Sequence, residues 1–221
     1  MRRKSTRALA LSLVLIVLLA NVALAAPTVP GAVYSDQPTA GYNKPPTQIA
    51  QELDQLGIQD VDPTEWYAGS ITTLVQAGLL TPDANGNVNP EADVDNFGGI
   101  TIFAKVLGIA SKTDPPFMAL SKMKSAGLVS DFTVGDADMS RIEVGRMLAM
   151  ALGVEPKTGL TAENYPFGDF GAFGNDYDRG IMAALYDLGI FKGFDDGTFR
   201  PGETLTTAQI AMLVDRILGT R

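Results

Sequence analysis

Residues 58–109 repeat near the C-terminus at one fixed spacing, and this repetition constrains the fold more than any other feature of the chain. An offset of 111 places Gly69 on Gly180, Leu74 on Leu185, Gly78 on Gly189 and Gly86 on Gly197. At the same offset Val88 falls on Phe199, Pro90 on Pro201, Val94 on Leu205, Leu107 on Leu218 and Gly108 on Gly219. No gap is needed from Gly69 to Gly108. Glycines and prolines that agree at one offset imply the same turns in the same places.

A third copy lies between these two. Met139 to Gly153 matches Leu205 to Gly219 without gaps, and Ala126-Gly127-Leu128 corresponds to Leu188-Gly189-Ile190. The connection between those blocks is four residues shorter in this middle copy. Three units result, at 58–109, 111–154 and 165–219. Each reads as a first helix (about 68–77, 116–126 and 178–188) ending at a glycine, as a left-handed C-cap requires. A loop and a second helix follow, with Asp95, Ser140 and Thr206 as N-caps. Ile210, Leu213, Val214 and Ile217 form one apolar stripe at helical spacing, and Val144, Met147, Leu148 and Ala151 repeat it. One helix pair cannot cover both of its stripes, so the three units are expected to share a core in a mainly α fold.

Residues 1–25 have the order of a secretory signal peptide: Arg2, Arg3, Lys4 and Arg7, an apolar stretch from Ala8 to Leu19, then Ala23-Leu24-Ala25. Cleavage is expected after Ala25, with no membrane-spanning segment beyond it. A retained anchor is disfavoured because the apolar stretch is shorter than the roughly 20 residues of a span. Residues 26–48 read as a linker, carrying Pro27, Pro30, Pro38, Pro45 and Pro46. Removing the four basic residues of the leader takes the net charge from −8 to −12. Such a surface repels nucleic-acid phosphates, and glycan binding would have to come from local groups rather than the overall field. The chain has no cysteine and no histidine. That removes disulfides, the common zinc sites and Ser-His-Asp or Cys-His catalysis. No catalytic residue, metal ligand or cofactor is expected. Carboxylate-only chemistry has no pair of acids at a diagnostic spacing, since Asp195-Asp196 has an adequate explanation as a turn.

The third unit is the best preserved. Phe167-Gly168-Asp169-Phe170, Tyr177, Gly180-Ile181 and Leu188-Gly189-Ile190 open it. Gly193-Phe194-Asp195-Asp196-Gly197-Thr198-Phe199-Arg200-Pro201-Gly202 follows, and Leu205-Thr206-Thr207-Ala208-Gln209-Ile210-Ala211 begins its second helix. In order and spacing this resembles an S-layer homology domain. The resemblance implies three helix-loop-helix repeats packed as a pseudo-threefold helical bundle. It also implies a secreted protein of the cell wall or cell surface that is attached non-covalently and is not an enzyme. The expected partner is cell-wall polysaccharide, in this family often a pyruvylated secondary polymer, or a peptidoglycan-associated glycan, with other surface proteins as further partners. Family grooves lie between repeats and use a Thr-Arg-Ala-Glu motif at the start of the second helix.

That motif is carried by Ser140-Arg141-Ile142-Glu143 in the middle unit, but reads Thr206-Thr207-Ala208-Gln209 in the third and Asp95-Asn96-Phe97-Gly98 in the first. By resemblance Ser140, Arg141 and Glu143 are ligand-binding candidates, with Trp66 and its counterpart Tyr177 before the first helices, and Arg200 and Gly197 in the loop. In the middle unit Phe117 is the nearest aromatic, slightly displaced. Arg141 also reads as a surface residue paired with a carboxylate, and Trp66 as a packing residue between units. Gly197 also reads as turn chemistry, and Arg200 as a tie within its loop. Asp83-Ala84-Asn85-Gly86-Asn87-Val88-Asn89 alternates acids and amides like a calcium loop. Its glycine falls two places early, however, and Val94 stands where such a loop ends in Glu, so it is read as a turn. The alternative to wall attachment is a secreted interaction or structural scaffold that keeps the fold without binding glycan.

Overall fold

A computed structural model describes residues 44–129 and 137–219. The expected signal peptide and residues 26–43 of the expected linker lie outside the described residues. The regular elements of the rest are helices: α1 (Pro46–Leu56), α2 (Ala68–Gln76), α3 (Asn96–Val106), α4 (Pro116–Ser125), α5 (Arg141–Leu152), α6 (Asp176–Asp187) and α7 (Thr207–Gly219), with one 3-10 turn at Phe170–Ala172. Among the described residues extended backbone pairs only as isolated bridges. The fold is mainly α.

Local chemistry accounts for most boundaries. The Asp95 side chain accepts the Gly98 N–H and starts α3. At the start of α5 the Glu143 carboxylate takes both the N–H (3.1 Å) and the hydroxyl (2.5 Å) of Ser140. The three first helices, α2, α4 and α6, each run into a glycine at positive φ: Gly78, Gly127 and Gly189. Two starts differ from the sequence reading. α1 begins inside the stretch read as linker, because Pro46 stands at a helix's first position, where its missing N–H has no intrahelical partner to lose. α6 begins two residues early, because the Asn175 side chain caps it by accepting the Asp178 N–H.

The units pack in a cycle. Each second helix lies against the first helix of the next unit, α3 on α4 and α5 on α6, and α7 closes back onto α2. At the centre the segments preceding the second helices form a ring of backbone hydrogen bonds. Val94 N–H donates to Leu205 O (3.0 Å), Leu205 N–H to Met139 O (3.0 Å), and Met139 N–H to Val94 O (2.9 Å). One residue-pair farther out, Asn96 donates to Ala137, Arg141 to Glu203 and Thr207 to Ala92. Every unit thus satisfies backbone groups of the next, which binds the cycle together independently of side-chain identity.

The expected stripes face inward: Ile210, Leu213, Val214 and Ile217 are buried, as are Val144, Met147 and Leu148. α1 adds Ile49 and Leu53 to the same core and packs on α2. Its approach is fixed by Lys44, whose ammonium donates to Glu52 (2.5 Å) and to Thr72 Oγ1 (3.2 Å). Among the described residues no helix is long and apolar enough to cross a membrane.

Candidate functional site at the junction of the second and third units

The chemistry concentrates where the start of α5 meets the loop of the third unit. That loop is held at both ends. Gly168 N–H donates to Gly197 O (2.8 Å), and Phe194 N–H to Thr198 O (2.8 Å). The Asp169 carboxylate receives the N–H groups of Phe199 (2.9 Å) and Arg200 (2.7 Å). The first unit repeats this clamp with Asp60, which receives Val88 and Asn89. Arg200 and Asn89, at equivalent positions, are the two non-glycine residues at positive φ among the described residues. Two charge-assisted bonds to one carboxylate offset the left-handed strain.

Arg141 enters this loop from the preceding unit. It is only 6% exposed. Its Nε–H donates to Phe199 O (2.8 Å) and Nη2 to Lys192 O (3.2 Å). Its guanidinium carbon lies 4.6 Å from the ring centres of both Phe194 and Phe199, and 5.7 Å from that of Phe191. Among the described residues Arg141 belongs to no ion pair, so the reading of a surface arginine paired with a carboxylate is not what the fold builds. Burial pushes the guanidinium down to about 10, against the attraction of Glu203, so it stays charged at neutral pH. No hydrogen bond engages Nη1 among the described residues. The junction therefore holds an oriented cation whose partners so far are carbonyls and ring faces.

The other candidates divide between this junction and elsewhere. Ser140 and Glu143 stand beside Arg141 but are engaged with each other at the helix start. Gly197 acts through its backbone, with φ 78° in the loop turn. Arg200 ties its own loop: it donates to Thr198 (3.0 Å), Asp196 (2.8 Å) and Glu203 (3.3 Å), and lies 4.1 Å over Phe194. Trp66 is 52% exposed and meets Tyr67 edge-on, so it does not pack between units. Tyr177 and Phe117 are likewise exposed. Asp83 spends its carboxylate on the N–H groups of Asn85 and Asn87, the geometry of a turn. Sequence reasoning assigned no role to Asp169, Phe194 or Phe199. Asp60 and Asp169 are 109 residues apart, so the ungapped offset of 111 does not pair them, whereas a two-residue gap before the first helix does.

Thr198 and the Arg200 guanidinium hold the Asp196 carboxyl well below the usual carboxylate range. A depressed acid stabilises above its unfolded value of about 4 and loses that contribution as pH falls toward the folded value. The melting-temperature gap between the native chain and Asp196→Asn is therefore expected at neutral pH and should close below about pH 4. A gap that stays constant down to about pH 2 would show that the loop ties do not favour the ionised acid.

A second charged contact spans the same junction. Arg146 of α5 forms a two-pronged pair with Asp178 of α6 (2.7 and 2.6 Å), and the acid is buried. At the other two junctions the corresponding places hold apolar or uncharged residues. Met212 and Tyr67 stand between the third and first units, Thr101 and Pro116 between the first and second.

The family model of the S-layer homology domain matches residues 58–95 and 166–211. No curated protein matches the chain.

Proposed function

Because the chain carries S-layer homology domains, a family of non-catalytic modules that anchor proteins at the cell surface, we propose that it attaches non-covalently to cell-wall polysaccharide. In this reading the protein acts as residues 26–221 after export, and the cyclic hydrogen bonding around Val94, Met139 and Leu205 marks a pseudo-threefold axis. The contact point is the junction of the second and third units. The observation that carries this is Arg141, a buried guanidinium held in one orientation with no counter-ion and with Nη1 unengaged among the described residues. Burying a charge without a partner costs stability, and an anionic substituent of a wall polymer supplies that partner. Trp66, exposed just before α2, and Tyr177, exposed in the first turn of α6, offer ring faces to the sugar chain. The equivalents of Arg141 are Asn96 and Thr207, so anion recognition is confined to one junction.

Co-sedimentation of residues 26–221 with purified cell-wall sacculi tests this. Binding is expected, with a loss of about tenfold or more for Arg141→Ala, as for a charge-assisted contact, and on acid removal of the secondary polymer. If the folded native chain stays in the supernatant, the attachment reading is overturned. The alternative then holds: a secreted scaffold in which Arg141 only pins two units together, as its 6% exposure favours.

A further inference from the structure

Phe194 meets two cations of different units. Arg141 reaches it from the second unit at 4.6 Å, and Arg200 of its own loop at 4.1 Å. Arg200 is itself anchored by Asp196, Thr198 and Glu203. The ring is therefore held by the anchored Arg200 and in turn orients Arg141, while Phe199 supplies both a ring face and the carbonyl for Nε. We propose that Phe194 is the positioning residue of this junction, an aromatic plate on the third unit that reads the arginine of the unit before it.

A comparison within the chain supports the pairing. The junction of the third and first units has the same backbone frame. Thr207 and Ala208 donate to Ala92 and Pro90, as Arg141 and Ile142 donate to Glu203 and Pro201. Thr207 replaces the arginine there, and the facing loop has lost both plates, with Asp83 at the place of Phe194 and Val88 at that of Phe199. Cation and aromatic faces are present together at one junction and absent together at the other. A guanidinium gains from a ring mainly when desolvated, so each makes the other worth keeping.

The inference rests on Arg141 being the ligand contact only for its effect on wall binding; the plate itself is tested without a wall. In Phe194→Leu, the Arg141 Nε–H proton resonance should shift by the Phe194 share of its ring-current displacement, with the share of Phe199 remaining, and exchange about tenfold faster, within the range a cation–ring contact supplies. Phe194→Tyr should restore both. Sacculus binding should fall about tenfold in Phe194→Leu at a temperature where that variant stays fully folded, and Phe194→Tyr should restore it, a pattern that a merely structural role does not produce. An Arg141 signal unchanged in Phe194→Leu overturns the proposal, whatever the wall result. Native protein that fails to bind sacculi overturns the attachment reading and leaves the plate to the resonance. A reciprocal graft covers the case in which Phe194→Leu does not fold. Thr207→Arg should lower the melting temperature, and that loss should be at most half as large when it is made on an Asp83→Phe background, the Asp83→Phe chain being the reference for the turn bonds Asp83 gives up; equal losses on the two backgrounds overturn the pairing.

Discussion

Phe199→Ala is expected to lower the free energy of unfolding by about 4 kcal/mol. The ring is completely buried and meets Phe167 at 5.0 Å, Phe173 at 5.6 Å and Phe191 at 5.4 Å between centres. Truncation removes the transfer energy of the side chain and leaves a cavity whose walls are themselves rigid rings, so relaxation recovers little. It also strips one face from the Arg141 guanidinium, which is desolvated and has no ion pair among the described residues. Urea unfolding followed by circular dichroism measures this, with the slope checked against the native protein. Phe117→Ala is the control: that ring is 64% exposed, and the change should stay within about 0.5 kcal/mol. Comparable losses in the two variants would mean that the aromatic cluster is not the core of the third unit.

Gly86→Ala and Gly197→Ala are expected to differ, although the two glycines occupy the same turn in two units. Both have positive φ, 82° and 78°, which costs a residue with a Cβ about 1 kcal/mol. At Gly197 a Cβ meets nothing within 4 Å, so that is the whole penalty. At Gly86 it would lie 2.2 Å from Gly57 O, a backbone atom at the end of α1. Relief requires the segment after α1 to move, at the expense of the bond from Gln59 N–H to Gly86 O (2.9 Å). We expect about 3 kcal/mol for Gly86→Ala and about 1 for Gly197→Ala. Equal losses would show that α1 does not press on the first unit's loop as described.

Much of the helical plan was legible before any coordinates. Repeated glycines locate the ends of α2, α4 and α6, and period-3.6 stripes locate the inward faces of α5 and α7. Both signals are local, because a left-handed cap or an apolar stripe needs only nearby residues to be understood. The misreadings have equally particular causes. Trp66 looks like a core residue by size, yet about half of it stays exposed, with its ring set edge-on to Tyr67. Pro46 looks like a helix breaker, yet at a first helical position it breaks nothing.

The candidate site was only partly readable. Arg141 stands out by its place in a repeated motif, but its companions do not, since they come from a loop more than fifty residues downstream. That Arg200 ties its loop, that Glu143 serves Ser140, and that Phe194 joins two cations are all facts of distance.

By itself, then, the sequence determined the kind of element in each repeat and the faces those elements bury, because turn chemistry and periodicity act within a few residues. The tertiary structure alone decided that the units close into a cycle of backbone hydrogen bonds and that α1 joins their core. It alone also turned one motif arginine into a buried, oriented cation. Those outcomes depend on which desolvated groups meet across the junctions, and no local pattern records that.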